Sequence, residues 1–374
     1  VSICLRKEVL KMEKLSEKKW TSYQIDEIFD IESGVRLESR NRTPGRRPFI
    51  GALDNSNGVA QFVNNKNTSL DSNFLGVNYN GNGMGIGFYH PYECICTDDV
   101  KRFHLKNIPD SQEADLFNKV VVEKQRGKFG YLYKFNAKRM ARTSIMLPAN
   151  ESGYPDYNYM IEYTKQKREN LINRCRRYIE KRIDYIGDEI KIPTLTEKEW
   201  QKFKAFGKGG ICNIETTSSS IDKIRIIDGD DKVLPYITRS ESNNGITQFI
   251  SKRNKEYGVD HAGSITVGLD TQTAYWQPHE FMTGQNIQIV TGNHLNEWSA
   301  QFLIPLLRIQ MKKKFNWGGN GATIKRMKSL SLMLPVNKNG DPDYAYMEQY
   351  AKNMMLRKYK QYLAYLDKKA EAGS

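Results

Sequence analysis

The stretch Pro155-Asp156-Tyr157-Asn158-Tyr159-Met160 recurs 187 residues later as Pro342-Asp343-Tyr344-Ala345-Tyr346-Met347. At this fixed offset the match extends outward until residues 49–160 lie over residues 236–347 with no net gap. Two copies are too few for a solenoid, which stacks many short repeats. The chain is therefore predicted to contain a tandem pair of complete domains, an arrangement suited to a target that has two parts.

The charge balance indicates a polyanionic partner. The 374 residues include 57 Lys and Arg against 43 Asp and Glu, a net charge of +14. Neutralising phosphates releases counterions and drives binding, although a solvated basic surface would give the same composition. No run of about 18 apolar residues is present, so no transmembrane helix is expected. Because residues 1–18 do not resemble a signal peptide, a cytoplasmic protein is the simplest interpretation.

The cysteines and histidines do not suggest a metal site. Cys94 and Cys96 alternate with Ile95 as in a strand, a spacing unlike that of a zinc knuckle or a redox pair. The expected state of the five scattered cysteines is a buried, reduced thiol; they are Cys4, Cys94, Cys96, Cys175 and Cys212. The five histidines form no HExxH-like ligand pattern, and no metal is expected in this chain.

Each copy is predicted to begin as a mainly β module. In the first copy a polar helical segment leads to about Lys18, and a basic loop punctuated by Pro44-Gly45 spans residues 34–47. Short strands separated by Asn-, Gly- and Asp-rich turns follow this loop. They are predicted at residues 48–52, 59–63, 74–78, 87–89, 93–97 and 100–105.

Each copy then changes to a helical period. Beyond Pro155-Asp156, apolar residues recur by threes and fours for about 30 residues, and a heptad seam runs from Leu356 to Ala370. Such helices would extend about 45 Å, more than a domain core requires, so the two are predicted to pack together as an antiparallel spacer. Asp156 and Asp343 stand where helix N-caps belong.

The predicted fold class is therefore α+β, with four segments. Residues 1–155 form a first mainly β domain with its N-terminal lead-in, and residues 156–192 form the first spacer helix and a linker. Residues 193–342 form the second domain, and residues 343–374 form the second spacer helix with a frayed tail.

A series of landmarks resembles the DNA specificity subunits of restriction-modification systems. In chain order they are Trp20, Gly34-Val35-Arg36, Pro48-Phe49-Ile50, Asn57-Gly58-Val59, a Gly-rich hairpin before Phe88-Tyr89, and Leu147-Pro148 followed by a long helix. The resemblance covers about residues 20–370. The helix starts are most similar to those of the small type IIB specificity subunits, with the larger type I subunits as the close alternative.

The resemblance has clear functional implications. Two target recognition domains would read two half-sites in double-stranded DNA, and the helices would dock a methyltransferase or a fused nuclease-methyltransferase. This chain would be non-catalytic, and AdoMet and Mg²⁺ would be required by the partner subunit.

Candidate DNA contacts were selected by side-chain chemistry, because Arg and Lys bind phosphates and polar loops read base edges in the major groove. In the first copy they are Arg36, Arg40, Arg42, Arg46, Arg47, Asn57, Asn82, Lys124, Arg126 and Lys128, with Asn55 and Asn80 nearby. In the second they are Arg239, Asn243, Asn244, Lys252, Arg253, Gln272, Thr273, Lys312, Lys313, Lys314, Asn316 and Asn320.

Each candidate has a structural alternative to DNA contact. Any one of them would also be explained as a solvated loop residue. Asn57 and Asn244 each precede glycine, as in a hairpin turn. The second copy lacks the Gly-rich run and most arginines of the first, so the two domains are expected to read different sequences.

Enzymatic interpretations have less support. The glycine run at residues 81–87 misses the GxGxxG pattern because Ile86 occupies the third glycine position, and no motif for holding a flipped base is present. A self-sufficient metal-dependent nuclease could use Asp156, Glu162 and Lys165, although these residues would lie along one helix start. A third, weaker hypothesis is an RNA-binding protein with stacking aromatics.

Overall fold

The computed structural model describes residues 12–81, 83–129, 134–316 and 319–372. These residues divide into two compact units, the first ending at Cys175 and the second beginning at Arg176. Several predictions made above, for the segment up to residue 11, Cys4, Asn82 and the last two residues of the tail, lie outside the described residues. The described part of the N-terminal lead-in forms turns at residues 15–17 instead of the predicted helix.

The first unit alternates short strands with a few helices. Its described strands are β1 (Trp20–Gln24), β2 (Phe29–Ser33), β3 (Pro44–Ile50), β4 (Val59–Val63), β5 (Phe74–Asn78), β6 (Gly87–His90), β7 (Ile95–Cys96), β8 (Val100–Leu105) and β9 (Ser144–Pro148). Its described helices are α1 (Ile25–Ile28), α2 (Gln112–Glu123), α3 (Ala137–Ala141) and α4 (Tyr157–Ile186), the last of which continues into the second unit.

The second unit repeats this order, except that no helix corresponding to α1 occurs in its described residues. Its described strands are β10 (Trp200–Lys204), β11 (Asn213–Thr216), β12 (Lys232–Ile237), β13 (Ile246–Ser251), β14 (Ser264–Gly268), β15 (Ala274–Gln277), β16 (Met282–Thr283), β17 (Ile287–Thr291) and β18 (Ser331–Pro335). Its described helices are α5 (Glu297–Lys314), α6 (Ile324–Met327) and α7 (Tyr344–Ala372).

The sheet topology is the same in both units. Over the described residues, the first unit has a four-stranded sheet in the order β2-β8-β5-β6, a three-stranded sheet β4-β3-β7 and a ribbon β1-β9. The second has β11-β17-β14-β15, β13-β12-β16 and β10-β18. In each three-stranded sheet the final pair is parallel. The predicted duplication is therefore confirmed at the level of topology.

The offset between the copies is not constant. His90 and Gln277 are 187 residues apart, but their strand partners Phe74 and Ser264 are 190 apart. Three extra residues therefore precede β14, and the hairpin after it is three residues shorter than the glycine-rich hairpin of the first unit.

Each core forms where the four-stranded sheet packs against a helix that the sequence patterns did not predict. Leu75, Phe103 and Val122 belong to the core of the first unit, and α5 contributes Leu303 and Leu307 to that of the second. The signals for these helices are their caps: Ser111 accepts a hydrogen bond from the Ala114 amide, and Asn296 accepts two at the start of α5.

An aromatic cluster joins core and long helix in the same way in both units. Trp20 stacks on Phe117 at 6.4 Å, and Phe117 meets Tyr163 edge-on. The second unit places Trp200 at 6.3 Å from Phe302, which meets Tyr350 edge-on. Trp20 and Trp200 are therefore partly buried residues that pack against the two cores in equivalent places.

The long helices begin where the repeated motif predicts. The amides of Tyr159 and Tyr346 each donate a 3.0 Å hydrogen bond to the carboxylates of Asp156 and Asp343, so both aspartates are N-caps. Helix α4 has 30 residues and α7 has 29.

Within the second unit, the end of α4 runs antiparallel to α7. Arg176 pairs with Asp367 at 2.7 Å. Beyond α4, the backbone of Ile190 exchanges hydrogen bonds with the side chain of Asn353. Contacts thus move backwards along α7 as the chain moves forwards, as expected for the predicted helical pair.

Candidate nucleic-acid interface

Three loops of the first unit come together at one face, here called the three-loop face. They are the β3–β4 loop (residues 51–58), the described residues of the β5–β6 hairpin and the 3-10 helix Lys124–Lys128. The Asn78 amide donates to the Leu53 carbonyl at 2.6 Å, and the Arg126 guanidinium donates to the Met84 carbonyl at 2.9 Å. These bonds position polar and basic side chains from distant parts of the sequence side by side.

Gly85 explains why the hairpin is rich in glycine. Its φ is +76°, a region that disfavours other residues, and an added Cβ would lie 2.6 Å from Cγ of Arg126. The glycine permits a close approach of the hairpin to the 3-10 helix, which is a structural role and not a nucleotide-binding one.

The second unit builds an equivalent three-loop face from residues 238–245, 269–273 and the described part of 314–322. Arg239 forms an ion pair with Asp270, the Tyr275 hydroxyl donates to the Glu241 carbonyl at 2.7 Å, and the Ala322 amide donates to the Leu269 carbonyl at 2.8 Å. Its hairpin is shorter and carries different side chains, so the two faces differ in chemistry while sharing a framework.

Most candidates on the three-loop faces are exposed. In the first unit they include Lys124, Arg126 and Lys128, with Lys128 donating to the Gln125 side chain at 2.6 Å. In the second unit they are Asn243, Asn244, Arg239, Lys312, Lys313, Lys314, Asn316 and Asn320. The three lysines occupy the last turn of α5, where cations also stabilise the helix dipole. Asn320 donates to the Lys314 carbonyl at 3.0 Å.

Asn57 and Asn244 are turn residues in equivalent places. Their φ values are +53° and +58°. The Asn57 amide donates to the Tyr92 hydroxyl at 2.8 Å, and that of Asn244 to the Trp276 carbonyl at 2.9 Å. Backbone geometry accounts for their match in the sequence.

A second group of candidates lies along the three-stranded sheets. Arg36, Arg40 and Arg46 are exposed in the first unit, with Arg40 paired to Glu38 at 2.8 Å. Lys252 and Arg253 are exposed directly after β13 in the second. This group extends the basic surface but does not join the three-loop faces.

Two arginines selected from the sequence stabilise the fold instead. Arg47 pairs with Glu93 at 2.8 Å and donates to the Asn65 carbonyl at 2.8 Å. The Arg42 guanidinium donates to the Leu37 carbonyl and lies 4.4 Å from the centre of the Phe49 ring. These internal bonds give Arg42 and Arg47 structural roles, and their contact with DNA stays a prediction.

Two polar candidates of the second hairpin are buried. Gln272 is 8% exposed and Thr273 3% exposed. The Gln272 amide donates to the Asp270 carbonyl at 2.6 Å, and the Thr273 hydroxyl lies 3.0 Å from that of Thr271. Both residues stabilise the tight turn, and their contact with DNA stays a prediction.

The residues named for a nuclease site have structural roles in the fold. Besides capping α4, the Asp156 carboxylate lies 2.9 Å from the Lys18 ammonium. Burial acts to raise the pKa of Asp156, but hydrogen bonds from Lys18 and the Tyr159 amide outweigh it, and the pKa is lowered. Glu162 and Lys165 form an exposed ion pair one helical turn apart. Over the described ranges, no three His, Cys, Asp or Glu side chains converge as a metal site.

A buried ionic network supports the first unit beneath its sheet. Arg102 lies 2.5 Å from Asp71, and His104 bridges Asp71 at 3.0 Å and Asp110 at 2.7 Å. The Asp110 hydrogen bond raises the pKa of His104 to about 9. Burial raises the pKa of Asp115, whose oxygens lack hydrogen-bond partners in the described structure, to about 8.

The second unit replaces much of this network with less ionisable chemistry. Strand β17 carries Ile289 and Thr291 where β8 carries Arg102 and His104, and α5 places Ala300 where α2 places Asp115. The two units therefore share topology but differ in the ionisable side chains at these positions.

One basic surface was missed by the sequence analysis. Lys138 and Arg142 in the first unit, and Lys325 and Lys328 in the second, are exposed around α3 and α6. Their signal was available, because Lys138-Arg139-Met140 and Lys325-Arg326-Met327 recur at the 187-residue offset.

The chain contains a β-rich domain, here called a head, twice. Each head is followed by a long helix and carries a basic three-loop face, an arrangement that defines a class of DNA-specificity proteins. The family model described as the type I restriction modification DNA specificity domain matches residues 17–174 and again residues 197–362. The chain belongs to this family, with one copy of the domain in each repeat.

Individual relatives were also found. The specificity subunit S.BcgI of the type II restriction enzyme BgcI, from Heyndrickxia coagulans, is 45% identical over 166 residues, which cover 44% of this chain and 48% of that protein. The match thus spans about half the length of that relative.

Similar solved structures include the type I restriction-modification S subunit from M. genitalium, at 15% identity and a TM-score of 0.48, with 96% of each chain covered. The HsdS subunit from Thermoanaerobacter tengcongensis has 12% identity and a TM-score of 0.29, covering 93% of this chain and 91% of that one. No described helix of the present structure is long and apolar enough to span a membrane.

Proposed function

We propose that the chain is the DNA-reading specificity subunit of a restriction-modification system. The proposal rests on the observation that the same arrangement of strands and helices occurs twice with different loops. Two heads of one fold present unlike side chains at equivalent faces, as expected for a protein that reads two unlike half-sites in double-stranded DNA. In this proposal residues 1–155 and 193–342 are the target recognition domains, and residues 156–192 and 343–374 form the helical spacer.

The contacts proposed for each half-site are the exposed candidates. For the first they are Arg36, Arg40, Arg46, Asn57, Lys124, Arg126 and Lys128; for the second they are Arg239, Asn243, Asn244, Lys252, Arg253, Lys312, Lys313, Lys314, Asn316 and Asn320. Arginine and lysine would fix register on the phosphates, and the asparagines would face base edges.

Catalysis is assigned to a partner subunit, a methyltransferase or a fused nuclease-methyltransferase that requires AdoMet and Mg²⁺. The family membership and the structural roles of Asp156 and Glu162 support a non-catalytic chain. The likeness to a type II specificity subunit favours the fused partner. The complex would act on DNA in the cytoplasm.

Detection of methylated bases in genomic DNA by long-read sequencing tests this function. Cells with and without the gene are compared while neighbouring genes stay intact. Loss of a split motif, made of two unlike short half-sites at fixed spacing, is expected on deletion. An unchanged set of methylated motifs in a strain with active methylation would refute the specificity role.

A further inference from the structure

We infer that the basic surfaces around α3 and α6 form a pair of sequence-independent clamps for the phosphate backbone of duplex DNA. This inference rests on the proposed function and deepens it. We refer to these surfaces as the helix patches: Lys128, Lys138 and Arg142 in the first unit, and Lys204, Lys325 and Lys328 in the second.

The two patches share one local construction. Met140 and Met327 are fully buried and anchor the short helices. The preceding arginines each donate to a carbonyl five residues earlier, Arg139 to Lys134 at 2.9 Å and Arg326 to Gly321 at 3.1 Å. Because the methionine is buried and the arginine is held by a backbone carbonyl in both units, the lysine before them is exposed at the same place.

The first patch surrounds a concave surface suited to an anion. A cavity of about 560 Å³ is lined by Lys128, Lys138, Arg139 and Arg142 together with uncharged residues. Lys138 and Arg142 have no ion-pair partner among the residues that the structure describes, so their charge is available to a ligand.

The second patch is equally basic but is formed by different residues. An added Cβ at Gly207 would lie 3.7 Å from the Lys204 ammonium and 3.7 Å from Cγ of Lys328, which places the Lys204 ammonium near the aliphatic stem of Lys328. Like Lys325, both are exposed.

Duplication indicates the kind of contact. Side chains that read bases should differ between heads that read different half-sites, as the hairpin loops do, whereas contacts to the repeating backbone can be the same in both. Lys128 belongs both to the first helix patch and to the three-loop face, so these two basic surfaces are continuous. This continuity favours DNA over an acidic protein as the ligand of the patch. The same phosphate chemistry therefore extends the contact surface of each head.

The test measures the salt dependence of DNA binding by the complex of the full chain with its partner subunit. Lys138→Ala, Lys325→Ala and the double variant are compared with wild type on a duplex carrying the methylated motif and on a scrambled duplex. Each substitution is expected to reduce the slope of log K against log salt by about 0.9. The affinity should fall by the same factor on both duplexes, and the methylated motif should not change.

Lys181→Ala is the matched control, since Lys181 is an exposed lysine on α4 that belongs to neither patch; its slope should equal that of wild type. Unchanged slopes in the helix-patch variants would overturn the inference. Unchanged slopes combined with weaker partner binding would assign the patches to a protein interface instead. A wild-type complex that shows no preference for its motif would refute the proposed function itself.

Discussion

The ammonium group of Lys18 lies 2.9 Å from the carboxylate of Asp156 and 4.8 Å from the centre of the Tyr159 ring. In the second unit, Lys198 lies 2.7 Å from Asp343 and 5.0 Å from the Tyr346 ring. The residue that leads into each head is thus tied to the first turn of each long helix. The internal repeat is preserved in side-chain contacts as well as in strand order.

Replacement of the helix caps should lower stability. Asp156→Ala is expected to cost about 1 kcal/mol because the Tyr159 amide loses its cap, with a further loss because Lys18 loses its partner. Asp156→Asn retains a capping oxygen and should cost less. Denaturant unfolding at neutral pH measures both, and Asp343→Ala and Asp343→Asn provide the same comparison in the second unit. Equal losses for Ala and Asn would show that the ion pair, and not the cap, dominates.

The double substitution Asp156→Asn with Glu162→Gln should leave DNA modification and cleavage by the complex at wild-type rates. Both side chains have structural partners, and neither lies on the three-loop face. Cleavage assays on a plasmid carrying the motif, with DNA binding measured in parallel, provide the test. Loss of cleavage with intact binding would revive the nuclease hypothesis.

Asp115 should make the first unit less stable as pH rises. Its pKa is raised from 3.8 to about 8 in the fold, so stability is lost between pH 4 and 8, by up to about 1.4 kcal/mol per pH unit. His104, raised from 6.5 to about 9, contributes stability that is complete below pH 6.5 and is lost towards pH 9. Asp115→Asn should therefore flatten the pH profile below pH 6.5 and leave only the loss due to His104 between pH 6.5 and 9.

Hydrogen exchange of α2, compared at several pH values after correction for intrinsic exchange, measures this change in the first unit. Helix α5 serves as the internal reference, because Ala300 stands in the place of Asp115. A variant whose profile retained the wild-type slope would contradict the assignment to Asp115.

Asn57 offers a way to separate turn geometry from base reading. The proposed base contact predicts that Asn57→Gly relaxes specificity at one base even though glycine accepts the φ of +53°. Asn57→Ala should relax specificity in the same way and also cost about 1 kcal/mol of stability through the strained turn. Unfolding curves and sequencing of the methylated motif measure the two effects. A motif that stays unchanged in Asn57→Gly would limit Asn57 to its role in the turn.

The exposed basic residues of each head should act on one half-site only. Arg46→Ala is expected to weaken binding through the first half-site, and Arg253→Ala through the second. Loss of one phosphate contact should also reduce the slope of log K against log salt by about 0.9. Competition with duplexes mutated in one half-site distinguishes the two effects. An effect of Arg46→Ala on the second half-site would argue against independent reading heads.

Local patterns predicted much of the fold. Strands β4, β5 and β8 have the predicted bounds, and both long helices start after the predicted aspartates, because alternation, turn residues and caps act over a few positions. The sequence patterns did not reveal α2 and α5. Their apolar faces are recognisable only against the sheet that they cover.

The candidate site was harder to predict because exposure depends on distant partners. Arg47 is engaged by Glu93 across 46 positions, and Gln272 turns inwards at a φ of +52°. From residue type alone, Arg47 and Gln272 would both be expected to be exposed and able to contact DNA. The repeated Lys-Arg-Met motif indicates duplication, but which of its side chains are exposed follows only from the fold, in which Lys138 and Lys325 are exposed.

The two-stranded ribbons have a consequence for how such genes can change. Gln24 pairs with Ser144 and Lys204 with Ser331. Nearly the whole of each head therefore lies, in sequence, between two positions that are neighbours in a ribbon. Recombination that exchanges residues 25–143 or 205–330 therefore replaces one head while its ribbon and helices stay intact. Under the proposed function, such an exchange would give a new bipartite specificity and would leave the helical surfaces proposed for the partner subunits unchanged.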